Sequence, residues 1–529
     1  MASRRKQEER VIAEDQTAAV AFLSAPASYG TTELIETMET HISRIFLVGR
    51  RAFKMKRAVK LPYVDFSTAS LRLDACQKEV ELNSATAPGL YLGVRRITRE
   101  KHGTLAFGGR GELVDAVVEM ARFDQQALFD RMAIEGTLTP ELMTVAAQMI
   151  ARFHRAAPVV HDGGGADNIA GVLRINAAGF ATSRVFQPDE LAAFTLAFEG
   201  GLARHAALLD RREAAGKVRR CHGDLHLRNI CLFEGGPRLF DCIEFNDQIA
   251  TVDTLYDLAF LLMDLWHRGF QDLANLVMNR YLDDLDDEDG FVLLPYLMAI
   301  RAAVRSHVTA TQVEESGKGS EKLVAEARSY FDLARSLIEP VPARLIAIGG
   351  FSGSGKTTVA ETLAAQVGAP PGARIVESDR VRKAMFGVAA ETRLPPSAYR
   401  PEVSEKVYRE MAERARLILA TGGTVIVDAV FDNPRNRSLM EELAGELGLP
   451  FTAVWLNAEP TLLRDRVASR SGGPSDADLD VLSGQLARDG GESGWSRIGA
   501  ARSAEQIAAE ILRLPQEPVP LQRAPAKEP

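Results

Sequence analysis

The segment Gly350-Phe351-Ser352-Gly353-Ser354-Gly355-Lys356-Thr357 satisfies every fixed position of G-x-x-x-x-G-K-[ST] and constrains its surroundings more than any other string in the chain. It follows the apolar run Leu345-Ile346-Ala347-Ile348 and is expected to open a helix over Thr357 to Val367. A short uninterrupted apolar run of this kind reads as a parallel strand buried on both faces. Glycines let the loop wrap closely round an anion, its N–H groups and the helix N-terminus present positive dipole ends, and Lys356 adds a full charge. A nucleotide polyphosphate fits these groups, so Gly350, Ser352, Gly353, Ser354, Gly355, Lys356, Thr357 and Thr358 are the expected ATP contacts, with Thr357 placed to ligate magnesium.

Downstream, a second apolar strand, Arg374-Ile375-Val376, runs into Glu377-Ser378-Asp379-Arg380-Val381-Arg382. Asp379 then stands at the carboxyl edge of an open α/β sheet, where ligands bind. It can accept a proton from an attacking hydroxyl, and Arg382 can clamp an anionic group on the acceptor. The plainer alternative is a helix capped by Asp379 with a solvated Arg382. The β-branched run Thr424-Val425-Ile426-Val427 ends in Asp428, a candidate for the magnesium shell, and Ala429 to Pro434 is either a loop over the acceptor or a simple turn. Arg464, Arg466 and Arg470 precede a Gly/Ser/Asp-rich stretch, Ser471 to Asp478, that suits a lid carrying an arginine towards the transferring phosphate. Together these strings resemble P-loop kinases that act on small hydroxyl substrates or nucleic-acid 5′ ends, of gluconate-kinase-like, zeta-toxin-like and polynucleotide-kinase-like type. That resemblance implies a base at Asp379, acceptor contact at Arg382 and lid charge at Arg470.

A chain of 529 residues exceeds what one hydrophobic core supports. The prolines of Glu339-Pro340-Val341-Pro342 end a helical pattern over Ser320 to Ile338, which places a linker at 340–343 between a first domain, 1–339, and a second, 344–513. Residues 514–529 carry five prolines and few large apolar side chains, as a solvated tail does. A net charge of -8 offers no footprint for wrapping nucleic acid. The four cysteines, Cys76, Cys221, Cys231 and Cys242, form no C-x-x-C pair and read as reduced thiols of a cytoplasmic protein. Apolar stretches such as Leu258 to Met263 and Phe291 to Ile300 are too short for a membrane span. Arg4, Arg5 and Lys6 ahead of Ala18 to Leu23 imitate a signal peptide, but Glu8, Glu9, Glu14 and Asp15 break the pattern.

The first domain contains Cys221-His222-Gly223-Asp224-Leu225-His226-Leu227-Arg228-Asn229, followed by Leu239-Phe240-Asp241-Cys242-Ile243-Glu244. His222 and His226 admit a zinc reading, but the spacing fits H-x-D-x-x-x-x-N with a second aspartate after a hairpin, which positions a base and two magnesium ligands in kinase-fold catalytic loops. The variant resembles the aminoglycoside phosphotransferase and choline-kinase branch of that fold. By resemblance, Asp224 takes the acceptor proton, Asn229 and Asp241 hold magnesium, His226 orients the loop, and Asp253 and Asp257 serve structure. Upstream, Ile45 to Val48 and Ala52 to Lys56 read as a hairpin with Lys54 and Lys56 on one face. One of these lysines is expected at the ATP phosphates, Lys54 first, with Glu79 in the helical stretch Leu71 to Asn83 as its ion-pair partner. Val117 to Met120 is the expected hinge strand, dividing a small lobe, about 30–120, from a helical lobe, 121–338. No glycine-rich phosphate loop stands near Thr40 to Gly49.

The whole chain thus resembles an α+β protein-kinase-like, aminoglycoside phosphotransferase-type domain followed by an α/β P-loop NTPase domain with a parallel sheet. The implied activity is ATP- and magnesium-dependent transfer to a hydroxyl of a small molecule. Two rivals stand beside it: an ATP-driven regulatory module, and a nucleic-acid 5′-end kinase, which requires a basic channel near Arg380, Arg382, Lys383 and Arg393. The acceptor and the oligomeric state are left open by the sequence.

Overall fold

The computed structural model describes residues 13–61, 64–161, 163–315, 321–470, 472–488 and 494–515. The basic cluster at Arg4 to Lys6 and the tail from residue 516 lie outside them. Packing divides the chain into two compact units, Met1–Met149 with Ala156–His161 and Gly216–Asp257, and Ile150–Arg155 with Asp162–Ala215 and Leu258–Pro529.

The first unit is built on a six-stranded antiparallel sheet of β1 (Glu36–Glu39), β2 (Ser43–Val48), β3 (Arg51–Lys56), β4 (Tyr91–Arg99), β5 (Leu105–Phe107) and β6 (Glu112–Ala121), in the order β1-β2-β3-β6-β4-β5. The expected hairpin is β2–β3, with Ile45 opposite Lys54. The expected hinge run Val117 to Met120 lies within β6, with Val118 opposite Lys54. Helix α1 (Ala69–Ser84) starts at Thr68, whose hydroxyl accepts from Leu71 N at 3.3 Å. It packs on one face of the sheet through Cys76 with Leu90, Ala116 and Val118. On the other face Ala19 and Leu23 are fully buried with Phe46, Phe53 and Ile97, so the apolar part of the signal-like segment is core. A second hairpin, β7 (Ile230–Phe233) and β8 (Gly236–Leu239), separates the two motif-bearing strings.

The second unit combines helices with a five-stranded parallel sheet. The helices include α2 (Gly165–Ala181), α3 (Pro188–Ala214), α4 (Gln271–Leu285), α5 (Leu294–Glu315) and α6 (Glu321–Leu337). They enclose an aromatic cluster in which Phe194 stacks on Phe331 with ring centres 4.6 Å apart. Among the described residues one stretch, Glu288–Glu314, is long and apolar enough to cross a membrane, a length the short run Phe291 to Ile300 did not reveal; 72% of its most apolar window is buried inside the protein.

The sheet strands are β9 (Leu345–Gly349), β10 (Arg374–Glu377), β11 (Val425–Asp428), β12 (Phe451–Asn457) and β13 (Ser496–Gly499), in the order β10-β11-β9-β12-β13. β9 is buried at all five positions, as its uninterrupted apolar sequence demands. The crossover from β9 reaches β10 past β11, and the later one from β11 passes β9 to reach β12, so these two neighbouring strands send their connections in opposite directions. The carboxyl end of β9 is therefore the topological switch point where α/β sheets bind ligands. Helix α7 (Lys356–Ala364) buries Val359, Ala360 and Leu363 against Ile346, Ile348 and Ile426, and α12 (Ala504–Ile511) closes the same layer with Ile507 and Ile511.

Leu363 is fully buried in this layer. Leu363→Ala is expected to remove about 3 kcal/mol, the middle of the range for emptying a leucine site. Urea unfolding of the full chain checks this, and a change below about 1 kcal/mol contradicts the packing described.

Candidate functional site

The phosphate loop leaves β9 with Gly350, Gly353 and Gly355 at φ of +145°, +83° and +87°. A Cβ on Gly350 would meet Leu456 O at 2.7 Å, and one on Gly353 would meet Leu463 O at the same distance. Only glycine fits either place. The loop is pinned by Gly350 N donating to Val430 O at 3.2 Å and Ser354 N donating to Phe351 O at 3.1 Å. Lys356 Nζ rests on Phe351 O at 3.3 Å, and Thr357 Oγ1 donates to Asp428 Oδ2 at 2.6 Å. Ser354 Oγ is buried and has no hydrogen-bond partner. Thr358 lies on the exposed side of the first turn of α7.

The register of the sheet sets Glu377 opposite Asp428, so two neighbouring strands end in buried carboxylates. Burial and the repulsion of Asp428 push Glu377 up to about 8. Burial likewise raises Asp428 to about 6, against the pull of Lys356 and the Thr357 hydroxyl. Burial lowers Lys356, opposed by Asp428 and Asp379 and reinforced by the charge of Arg470, which is thereby placed near the loop although its side chain is exposed.

Asp379 occupies the first turn of α8 (Ser378–Met385), and the N-cap is Glu377, which makes no side-chain cap bond; the capping role for Asp379 is thus not realised. Burial raises the Asp379 carboxyl, while Ser475, Lys356 and Arg382 favour its charged form. Arg382 is buried, but it is no free clamp. Its guanidinium lies 4.7 Å from the Tyr399 ring centre, Nη1 donates to Ala398 O at 2.6 Å, Nη2 to Ser404 Oγ at 3.3 Å, and only Nε is left without a partner.

Asp476, in the lid stretch, gathers Lys383 Nζ at 2.6 Å, Leu394 N at 2.9 Å and Tyr399 OH at 2.5 Å. Arg380 Nε donates to Glu377 at 3.0 Å. Three of the four cations required for a basic channel are therefore turned inward and paired, and Arg393 alone among them is exposed. Helix α10 (Pro460–Ser469) places Arg466 Nη1 3.4 Å from Gly353 O, and α11 (Leu479–Leu486) brings Gln485 Oε1 to accept from Ser352 N at 2.8 Å.

In the first unit, Lys54 and Lys56 both reach Glu79, Lys54 Nζ at 2.8 Å from Oε1 and Lys56 Nζ at 2.5 Å from Oε2. Lys54 also pairs with Asp241, and Lys56 with Glu244. Neither lysine is a solvated strand residue. Burial opposes both charges, yet Asp241 and Glu79 hold Lys54 well above the usual lysine range. The two ammonium groups overcome burial to bring Glu79 down to about 2. Asp241 has φ of +64°, and its N–H donates to Tyr91 OH at 3.1 Å. Asn229 Nδ2 donates to Asp224 O and to Asp224 Oδ2, both at 2.9 Å, and His226 Nε2 lies 3.3 Å from the same carboxylate oxygen. Asp257 accepts from His222 N at 3.2 Å and Gly223 N at 2.8 Å. Gly223 has φ of +85°, and a Cβ there would sit 3.0 Å from Ile243 Cδ1, which excludes the arginine that protein kinases carry. The turn between β1 and β2 is closed by Thr40 N donating to Ser43 O at 2.8 Å. All four cysteines are buried thiols outside any disulfide.

The phosphate-loop residues, the two lysines with Glu79 and the motif aspartates Asp224, Asp241, Asp379 and Asp428 lie in these two clusters, whereas Thr358, Arg393 and Arg464 are exposed. Glu377, Asp476, Gln485 and Glu244 join them unannounced. A carboxylate at the end of β10 was visible in the string before Asp379; the other three are brought in by tertiary contacts without a motif.

Comparison with known proteins gives two family matches. Residues 117–291 match the phosphotransferase enzyme family, and residues 345–489 match an AAA domain. Uncharacterised proteins of Mycobacterium tuberculosis and Mycobacterium bovis are 28% identical over 509 residues, covering 93% of this chain and 99% of theirs. Among solved structures, a choline/ethanolamine kinase family protein from Mesorhizobium loti covers 61% of this chain and 94% of its own at 15% identity and a TM-score of 0.41. A gluconokinase from Sinorhizobium meliloti covers 33% of this chain and 91% of its own at 23% identity and a TM-score of 0.24. The chain therefore joins a kinase-fold domain of the phosphotransferase enzyme family to a P-loop kinase-like domain, and is a phosphotransferase in broad class.

Proposed function

We propose that this protein transfers the γ-phosphoryl group of ATP, with magnesium, to a hydroxyl group of a small molecule, and that each domain contributes an ATP-type site. The observation that carries the reading is the convergence of Lys356, Thr357, Asp379 and Asp428 on the phosphate loop, with the Thr357 hydroxyl 2.6 Å from Asp428. Thr357 and Asp428 in one domain, and Asn229 and Asp241 in the other, are hard oxygen donors of the kind magnesium takes. The buried surplus of carboxylate around Asp428 fits a divalent cation. Bound there, the ion would neutralise charge on the phosphates.

The loop amides and Lys356 hold the β- and γ-phosphates, and Arg470 adds charge from the lid side. Asp379, its proton affinity raised by burial, takes the proton of the attacking hydroxyl, while Arg382 offers its unpartnered Nε–H to the acceptor. In the kinase-fold domain Lys54 exchanges Asp241 for phosphate while Glu79 keeps it in place. Asp224, oriented by Asn229, accepts the hydroxyl proton. A second reading, an ATP-driven switch, is favoured by Gln485, which ties α11 to the phosphate loop at Ser352.

ADP release by the purified protein with magnesium and a pool of polyols, sugars, nucleosides and aminoglycosides distinguishes them. The phosphotransferase reading expects acceptor-stimulated release that falls at least a hundredfold in Asp379→Asn or Asp224→Asn, whichever marks the transferring site, the scale of losing a general base. Release that no acceptor stimulates and that is lost only in Lys356→Ala favours the switch.

The same cluster makes the fold sensitive to pH. Glu377 binds its proton more tightly folded than unfolded, so its stabilising contribution is complete below the ordinary glutamate range and is lost as pH rises towards about 8. Without magnesium, the melting temperature is expected to fall between about pH 5 and pH 8, and Glu377→Gln to flatten that fall. An unchanged slope in the variant contradicts the assignment.

A further inference from the structure

Helix α4 stands almost a hundred residues before the strand it serves. Asn279 Oδ1 accepts from Ile375 N at 2.8 Å, Asn275 Nδ2 donates to Pro371 O and Ala373 O at 3.0 Å each, and Asn279 Nδ2 donates to Ala373 O at 3.2 Å. These side chains occupy backbone groups of β10 and of the segment that leads into it, at an edge strand of the parallel sheet. One turn on, Asp283 lies among three arginines: Arg374 Nη1 at 2.7 Å, Arg280 Nη1 at 3.4 Å and Arg380 Nη1 at 3.5 Å.

Each arginine carries the contact onward. Arg380 donates to Glu377, the strand partner of Asp428, and stands next to Asp379. Arg280 Nη2 reaches Glu361 on α7, the helix that opens at the phosphate loop, at 2.5 Å. Arg374 Nη2 reaches Glu288 at 3.1 Å, and Glu288 also pairs with Arg414 on α9 (Pro401–Leu419) at 3.2 Å. Below this network Phe291 abuts Gly423, where an added Cβ would approach it to 2.8 Å.

We propose that helix α4 is a working part of the P-loop site: Asp283, through Arg380 and Arg280, is a positioning residue that fixes Glu377, Asp379 and the phosphate-loop helix relative to one another. The proposal rests on the reading of that site as a nucleotide site. Removing a partner from such a buried set leaves the opposite charges uncompensated and free to rearrange. Loss of Arg380 sets Glu377 against Asp428, and loss of Asp283 leaves three arginines to seek other acids, Glu377 among them.

The test uses the full chain and a fluorescent mant-ATP with magnesium, the part of binding abolished by Lys356→Ala reporting the P-loop site. Arg380→Met and Asp283→Asn are expected to weaken that part at least tenfold. Arg380→Lys, which keeps a charge between Asp283 and Glu377, is expected to bring it back to within threefold of wild type, with circular dichroism and the Lys356-independent binding unchanged in all three. Wild-type affinity in both Arg380→Met and Asp283→Asn overturns the proposal. So does an equal loss in Arg380→Met and Arg380→Lys accompanied by loss of Lys356-independent binding, because that pattern is unfolding. A wild-type chain with no Lys356-sensitive binding overturns the nucleotide reading and the proposal together, whereas failure of the proposal alone leaves wild-type binding intact.

Discussion

Glu377 and Asp428 are buried, and Asp379 half-buried, beside one ammonium group, that of Lys356. Even with Arg380 on Glu377 and Arg382 near Asp379, three carboxylates crowded beside one ammonium group cannot all be charged in a poorly solvated place without a large electrostatic cost. The parallel sheet forces the arrangement, since the register that packs Ile375 beside Ile426 also sets Glu377 beside Asp428. Raised proton affinities of these acids, the hydrogen bond from Thr357 and the arginine reaching Glu377 from α8 are all responses to that surplus. A divalent cation brings the positive charge that these acids lack, while the loop N–H groups and Lys356 are the groups that hold a polyphosphate beside it.

The kinase-fold cluster solves its charge differently. Lys54 and Lys56 alternate with Glu79, Asp241 and Glu244, so nearly every charge has an opposite neighbour. Glu79 and Glu244 are fixed in the interior by Lys56, which leaves the Lys54–Asp241 pair as the exposed end of the ladder, with the Asp241 side chain 42% accessible. That end can be exchanged at small cost. The deeper pairs hold the lysine strand, α1 and the segment after β8 in fixed relation.

The phosphate loop was legible because anion binding requires particular residues at adjacent positions. Lys54 was legible from the strand period and Glu79 as the partner that the kinase-fold resemblance calls for, although neither could say that Lys56 would share Glu79 or take Glu244, 188 positions away. Asp476 lies within the lid stretch, whose composition signals only loop, and Gln485 lies on the helix after it with no motif to mark it. Asn279 and Asp283 sit on an ordinary amphipathic helix, and nothing local marks a side chain that will meet an edge strand 96 residues later. Arg382 was read as an open anion clamp because its spacing from Asp379 is local information, whereas the carbonyl of Ala398 and the ring of Tyr399 that engage it arrive through a loop.

The central claim is that the phosphate loop and the carboxylates at the ends of β10 and β11 form one metal–nucleotide site. A crystal structure of the full chain with manganese and a non-hydrolysable ATP analogue, read by the anomalous signal of the metal, tests it directly. The account predicts a manganese peak against the Thr357 hydroxyl on the side of Asp428, with the terminal phosphate between Lys356 and Asp379. Nucleotide confined to the kinase-fold domain, with neither metal nor phosphate at Lys356 and Thr357, would contradict it.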